Sequence, residues 1–495
     1  MSQPWSRCWR QTSRATSPAR CSLSRAACRL VDEGPLWWPV RQLIDAYRSG
    51  SLSPVEVCEQ AQQRIAQVNP LLNAVVLTTT ELARSQAVAA AAEYRDGTAG
   101  PLAGVPVSIK DAFHIEGHVT TLGSLAHADD VMPHDSGAVR RLRRAGAVFV
   151  GKTNVPEFCQ SATTDNLLGP DTANPFDPLR TAGGSSGGAA SSVAAGMCTL
   201  GLGSDGGGSI RIPASFCGLV GFKPTYGTVH DEQGFRAFSP FISVGPLARC
   251  VADARRMHAV LSDGNGDRDA SGDAEPRRVA WCATPEGRPI DAGVGTVAAA
   301  AMEVLASCGH DVQAVDLDLG GWEEIFGPLV LADEGERRGH LLDGPHELTW
   351  YCRRSLEAAQ RLDPAVVSAA RTALMTYRER VDRWFGDYDV IAAPATATTA
   401  FELGCRPSAI AGEPVSKLWG AFPFAVPFNV SGHPAVVLPV GFVAGLPAAI
   451  QLVGRHGSDH ELLAVAEQLE GALDVRPFAS SALRALASCT GGDSF

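Results

Sequence analysis

Three residues of this sequence have the types and surroundings of a proton relay. Lys110 closes the apolar run Val105-Pro-Val-Ser-Ile-Lys110. Ser185 lies 75 residues on, inside Gly183-Gly-Ser-Ser-Gly-Gly188, and Ser209 follows 24 residues later in Gly203-Ser-Asp-Gly-Gly-Gly-Ser-Ile-Arg-Ile-Pro-Ala214. A serine hydroxyl is a poor nucleophile until a base takes its proton. Lysine can be that base where burial disfavours the ammonium form. A second serine can carry the proton between them, because a hydroxyl both donates and accepts. Gly206, Gly207 and Gly208 have no Cβ, so the backbone there can turn through positive φ. Successive N–H groups then converge as a nest beside Ser209, where a tetrahedral oxyanion would sit. Losing one such donor typically lowers the rate by about 10²–10³.

The glycines also match other patterns. Gly201-Leu-Gly-Ser-Asp-Gly206 reads GxGxxG, but a dinucleotide site needs a helix to begin there. Three glycines and Pro213 argue against a helix at that point. Gly183-Gly-Ser-Ser-Gly187 reads GxSxG, and a nucleophile elbow needs a strand just before it; residues 174–182 read as loop. A phosphate loop of the Walker type needs GK[ST], and no lysine follows these glycines. Cys159 and Cys217 lie near the site in sequence and are expected to pack rather than react, since no adjacent base is visible. His433 is expected to be a turn residue. Trp419, Phe422, Phe424 and Phe428 are candidates for an acyl pocket or for core.

Strands and helices must bring these residues together. Val40–Ser49 reads as a helix closed by Gly50. Ser53-Pro-Val-Glu56 is a capping box opening a helix towards Val68. A short strand, 74–77, precedes a second expected box, Thr78 with Glu81, and an Ala-rich helix to Arg95. Further units are a strand at 105–109, a helix at 136–145, a strand at 148–150, a helix at 187–196 and a strand at 197–202. Downstream come strands at 279–282, 312–315 and 389–393 and helices at 294–307 and 459–473. Two helical stretches rich in Glu and Arg run up to Phe385. Strands alternating with helices predict an α/β fold, a large, mostly parallel sheet covered on both faces. Ala435–Gly454 is uncharged and long enough to span a membrane, but Pro439, Gly441, Gly445 and Pro447 make it two buried strands and a turn.

Composition narrows the function. The 495 residues allow two to four domains or one large α/β unit, and 45% hydrophobic residues allow a large core. With 42 basic and 53 acidic residues the net charge is −11, which disfavours a nucleic-acid partner. Thirteen Cys are scattered without a CxxC pair or a metal-like cluster, as expected of thiols in a reducing, cytoplasmic setting. Residues 1–30 hold six Arg and no acid, a composition similar to a transit peptide; the reading favoured is a disordered extension or a start upstream of the natural one. The expected organisation is an extension over 1–35, one domain over 36–478 with a surface loop at 262–278, and a tail over 479–495.

Taken together these motifs resemble the amidase signature family. The resemblance spans about residues 40–475. It rests on Gly104-Val-Pro-Val-Ser-Ile-Lys-Asp111, the block Gly183–Pro224 with Gly218-Leu-Val-Gly-Phe-Lys-Pro-Thr225, and the tail Pro427-Phe-Asn-Val-Ser-Gly-His-Pro434 with Gln451-Leu-Val-Gly454. It implies the amidase signature fold, with a mixed sheet of about eleven strands flanked by helices. It further implies Ser209 as nucleophile, Ser185 on a cis peptide as proton shuttle and Lys110 as base, with the N–H groups of Gly206, Gly207, Gly208 and Ser209 as oxyanion hole. Ser186, Asp205 and Arg211 are the expected supporting residues. No metal or organic cofactor is implied. The expected partner is a small-molecule amide, without nucleic acid or membrane, and a homodimer is allowed. Gly206 stands where relatives often carry Ile or Thr, and Thr228 where many carry Arg. After Tyr226-Gly227 the chain lacks the serine-rich continuation usual in glutaminase subunits of tRNA-dependent amidotransferases, which favours a stand-alone amidase. Water and another acyl acceptor are not separated by these residues.

Overall fold

The computed structural model describes residues 34–230, 241–262 and 275–473. The Arg-rich start, most of the expected 262–278 loop, the continuation at 231–240 and the tail from 474 lie outside the described residues. Eleven of the described strands form one sheet. In chain order they are β1 (Val75–Thr78), β2 (Pro106–Lys110), β3 (Val148–Thr153), β6 (Leu200–Asp205), β7 (Val220–Lys223), β8 (Ser243–Ala248), β9 (Arg278–Trp281), β10 (Asp311–Ala314), β11 (Val390–Pro394), β14 (Ala435–Val443) and β15 (Leu446–Gly454). Two hairpins stand apart, β4 (Ala173–Asn174) with β5 (Asp177–Thr181), and β12 (Ala409–Ile410) with β13 (Glu413–Pro414). The order across the sheet is β1-β3-β2-β6-β8-β7-β14-β15-β11-β9-β10.

The sheet is mixed and large, as expected. Strands joined through helices are parallel in the two wings, β3-β2-β6 and β11-β9-β10. The centre, from β6 through β8, β7, β14 and β15 to β11, is antiparallel. Ala444-Gly445 alone separates β14 from β15, so the uncharged stretch is a buried hairpin, and a connection that short can only join antiparallel strands. Among the described residues no helix is long and apolar enough to cross a membrane.

Side chains alternate across the sheet. Val107, Ile109, Val436 and Leu438 belong to a core shared with the helices Gly137–Arg144, Val251–Leu261, Ala292–Ser307 and Asp459–Leu473. Val148, Val150 and Val437 face the opposite core, with the helices Pro54–Leu72, Thr80–Asp96 and Gly187–Ala194. Both faces are therefore covered, and each such side chain removed from water stabilises the fold by about 1.5–3 kcal/mol.

Several boundaries move. Ser53 and Glu56 form the expected box, but that helix continues through Pro70 to Leu72. Thr78 is not a cap: the next helix starts after Thr79, whose hydroxyl donates to Phe149 O at 2.7 Å and so ties the helix start to β3. The strand expected at 197–202 is β6, shifted to 200–205, which carries it to the site. Residues 174–182, expected as loop, contain the β4–β5 hairpin; it lies off the main sheet, so no elbow strand leads into Ser185. Arg211–Phe216 forms a short helix despite Pro213, which sits in the first turn where its missing N–H costs nothing. Three helices, Glu323–Arg338, Trp350–Gln360 and Pro364–Asp387, replace the two expected.

Candidate active site

β2 and β6 are parallel neighbours in register Ile109↔Leu202, so Lys110 and Ser204 lie at the same, C-terminal end of adjacent strands. Lys110 Nζ lies 2.8 Å from Ser185 Oγ, 2.9 Å from Ser186 Oγ and 2.9 Å from Ser204 Oγ. A further contact at 3.3 Å reaches Ser204 O. Lys110 is fully buried. Burial pushes its pKa down, opposed by the fields of Cys159 and Asp205, so the neutral amine is favoured over its state in water.

The chain carrying Ser185 and the loop carrying Ser209 are stitched side by side. The Gly184–Ser185 peptide is cis. Ser186 N donates to Ser209 O at 3.1 Å, and Ser186 Oγ donates to Ser204 O at 3.2 Å. Gly184 lies so close to Thr163 that a Cβ there would come 2.6 Å from Thr163 O. Within 206–210 Ser209 alone is partly exposed, and its glycine neighbours are buried.

Asp205 organises this loop from within. Its Oδ1 accepts from Gly208 N at 2.8 Å, and its Oδ2 accepts from Ile210 N at 3.2 Å and Arg211 Nε at 2.9 Å. Arg211 Nη2 completes a buried ion pair with Asp205 Oδ1 at 2.9 Å. Arg211 also donates to Asn429 Oδ1 and Gln451 Oε1, both at 2.5 Å, and Asn429 Nδ2 returns to Asp205 Oδ1 at 2.8 Å. Burial alone would raise the Asp205 carboxyl, but Arg211 and Asn429 outweigh it and hold it well below the usual range. Of the four N–H groups expected to form the oxyanion hole, that of Gly208 donates to Asp205 Oδ1. The N–H groups of Gly206, Gly207 and Ser209 meet no acceptor among the described residues.

Sequence reasoning passed over several neighbours. Cys159 is buried as expected, yet it lies near enough to Lys110 for each to bias the other's ionisation. Phe158 and Cys159 both have positive φ, 49° and 59°, a tight turn that no local motif announces. Burial pushes the Cys159 thiol up, towards the uncharged form. Ser204 lies inside a quoted motif, but only pairing of β6 with β2 puts it on Lys110. Asn429 and Gln451 belong to the tail motif, whose signal gave no hint of their contact with Arg211. A second buried lysine, Lys152, is paired with Asp111 at 2.6 Å and donates to Val119 O at 2.9 Å. That pair fixes the turn after Lys110.

Other singled-out residues fall elsewhere. Cys217 is buried with its thiol directed to Ala182 O at 3.6 Å. His433 is held by Ser431 Oγ at 3.0 Å and Asp382 at 3.0 Å. Phe422, Phe424 and Phe428 are core residues, whereas Trp419 is partly exposed. Among the described residues no cluster of His, Cys, Asp or Glu could hold a metal ion.

The structure thus places Lys110 on Ser185 and the neighbouring Ser186 on the backbone of Ser209. The family model Amidase matches residues 56–320 and 346–463. The chain is 32% identical over 476 residues to an acylamidase of Rhodococcus erythropolis, covering 91% of this chain and 98% of that one. It is 35% identical over 486 residues to a glutamyl-tRNA(Gln) amidotransferase subunit of Synechococcus sp. strain RCC307, covering 88% and 98%. A solved bacterial aryl acylamidase, an amidase signature enzyme, superposes with a TM-score of 0.81 at 28% identity over 93% of this chain and all of that one. The motifs, the eleven-stranded sheet and these matches agree that the chain belongs to the amidase signature family, whose members hydrolyse carbon–nitrogen amide bonds.

Proposed function

We propose that this chain is a stand-alone amidase that works through a Ser209 acyl-enzyme. Lys110, neutral, takes the proton of Ser185 as Ser185 takes that of Ser209. Ser209 Oγ attacks the amide carbonyl, and the oxyanion receives the N–H groups of Gly206, Gly207 and Ser209. The proton returns through Ser185 to the departing amine, and the C–N bond breaks. Water then adds to the ester by the same relay and releases the carboxylic acid and Ser209. The observation that carries this reading is the buried Lys110 Nζ at 2.8 Å from Ser185 Oγ, with the adjacent Ser186 N donating to Ser209 O of the partly exposed Ser209 loop. A proton relay of this kind contributes about 10²–10⁴ in rate and the oxyanion donors a similar factor.

All groups in this scheme come from one chain, so it holds for a monomer and a homodimer alike. One catalytic domain, residues 36–478, carries it. The described cysteines are free and mostly buried, which fits action in a reducing cytoplasm.

Labelling with a fluorophosphonate, followed by peptide mass spectrometry, tests the scheme. The adduct is expected on Ser209 and is expected to vanish in Lys110→Ala. An adduct on Ser185 would replace the scheme with one in which GxSxG holds the nucleophile. Two assays on the isolated chain separate the stand-alone amidase from its alternatives. An acyl product on an added amine or alcohol in place of the free carboxylic acid would point to an acyltransferase, and ammonia release from glutamine to a glutaminase of the amidotransferase type.

A further inference from the structure

The helix Glu323–Arg338 and the segment before Val426 close over the oxyanion loop with aromatic rings. A Cβ on Gly207 would meet Phe326 Cζ at 3.2 Å and Trp419 Cη2 at 3.4 Å. Both rings therefore occupy the space that a side chain two residues before Ser209 would enter. They stand perpendicular to each other, with centroids 5.9 Å apart at 88°. Phe326 is immobilised from behind by Phe241, 5.4 Å away, and by Trp322, 6.5 Å away. Phe326 is buried while Trp419 stays partly open, so one wall of the corner is fixed and the other borders solvent.

From this geometry, and resting on the Ser209 reading above, we infer that Phe326 and Trp419 are the specificity-determining residues for the acyl group, and that they select a flat, apolar one, an aryl or arylalkyl group. A perpendicular pair of rings offers one face and one edge, the two surfaces against which a third aromatic ring packs. Phe326 has no polar atom with which to hold the ammonium and carboxylate of an amino acid, and burying such charges unpaired is strongly disfavoured. Gly207 belongs to the inference as well: any side chain there would fill the corner.

The test compares kcat/KM for phenylacetamide, butyramide and glutamine in the wild type, Trp419→Ala and Phe326→Leu. Ratios of two substrates in one preparation cancel any loss of folded protein. Phenylacetamide is expected to exceed butyramide by at least about tenfold in the wild type, the size of effect a fitted apolar pocket gives. Both variants should lower that ratio by about tenfold. A wild-type preference for butyramide or glutamine, or the same ratio in all three proteins, overturns the inference. If none of the amides turns over, protection of Ser209 from methanesulfonyl fluoride by phenylacetamide against butyramide is read in its place, and equal protection overturns it. Absence of any methanesulfonyl adduct on wild-type Ser209 would instead remove the underlying serine reading, and the wall with it.

Discussion

At the scale of single residues, the chemistry depends on where protons rest. Lys110 is buried among three serine hydroxyls, and burial lowers its pKa. In the proposed scheme the neutral amine is the working form, so kcat/KM should fall as pH drops through that lowered pKa and level off above it. Lys110→Ala removes the proposed base, and kcat should fall by about 10³-fold or more with the fold retained by circular dichroism. A variant keeping a tenth of the activity would remove Lys110 from the relay. Cys159 is the other residue to test, because it is buried beside Lys110 and biases its charge. Its thiol is pushed up by burial and so is a poor nucleophile. In native protein, iodoacetamide at pH 8 should modify the exposed Cys405 well before Cys159. Inactivation that keeps pace with Cys159 alkylation would show a thiol reacting where an inert one is expected.

Among the elements, the decisive event is the convergence of two distant parts of the chain on one arginine. Arg211 opens a short helix after the Ser209 loop, Asn429 lies on the helix Val426–Val430, and Gln451 is on β15. Their side chains meet around Asp205. Replacing Arg211 by Met leaves Asp205 buried and unpaired, a change that costs about 3–5 kcal/mol. Urea unfolding should show that loss, and an unchanged midpoint would mean that Asp205 is relieved some other way. Backbone contact is equally demanding at Gly184, which abuts the Thr163 backbone. Gly184→Ala has nowhere to put its methyl group, so Ser185 must shift and activity should drop more than stability does.

For the whole molecule, the same buried charges set the response to pH. Lys223 lies on β7, fully buried, with Nζ donating to Pro224 O at 3.0 Å. Burial, then the nearby Arg211, lower its pKa to about 7, against the opposing fields of Asp205 and Asp459. Its unfolded value is 10.5. Between about 7 and 10.5 the unfolded chain therefore binds the extra proton, and this residue makes stability rise with pH in that window. Lys223→Met should flatten the rise of Tm between pH 7 and 9 and raise Tm most at the lower pH. Identical slopes in both proteins would mean that Lys223 keeps its charge when folded.

Much of this architecture was legible without coordinates. Hydrophobic alternation and caps determined the helix at Val40–Ser49, the capping box at Ser53 and the β14–β15 hairpin, because those signals act over a few residues. The residue types of the relay and the glycines beside Ser209 could be read the same way. Thr79 displaced Thr78 as a helix start because its hydroxyl serves β3, a partner no local pattern reveals. The order of strands is not local at all. It puts β2 beside β6, and so gives Lys110 its serines; it brings Cys159, Asn429, Gln451 and Phe326 to the loop from regions far apart in the chain. It also directs the Gly208 N–H to Asp205. Sequence determined which groups were available, through short-range sterics and burial; only the tertiary structure decided which of them meet, because packing a sheet buries distant charges together and leaves them no other partners.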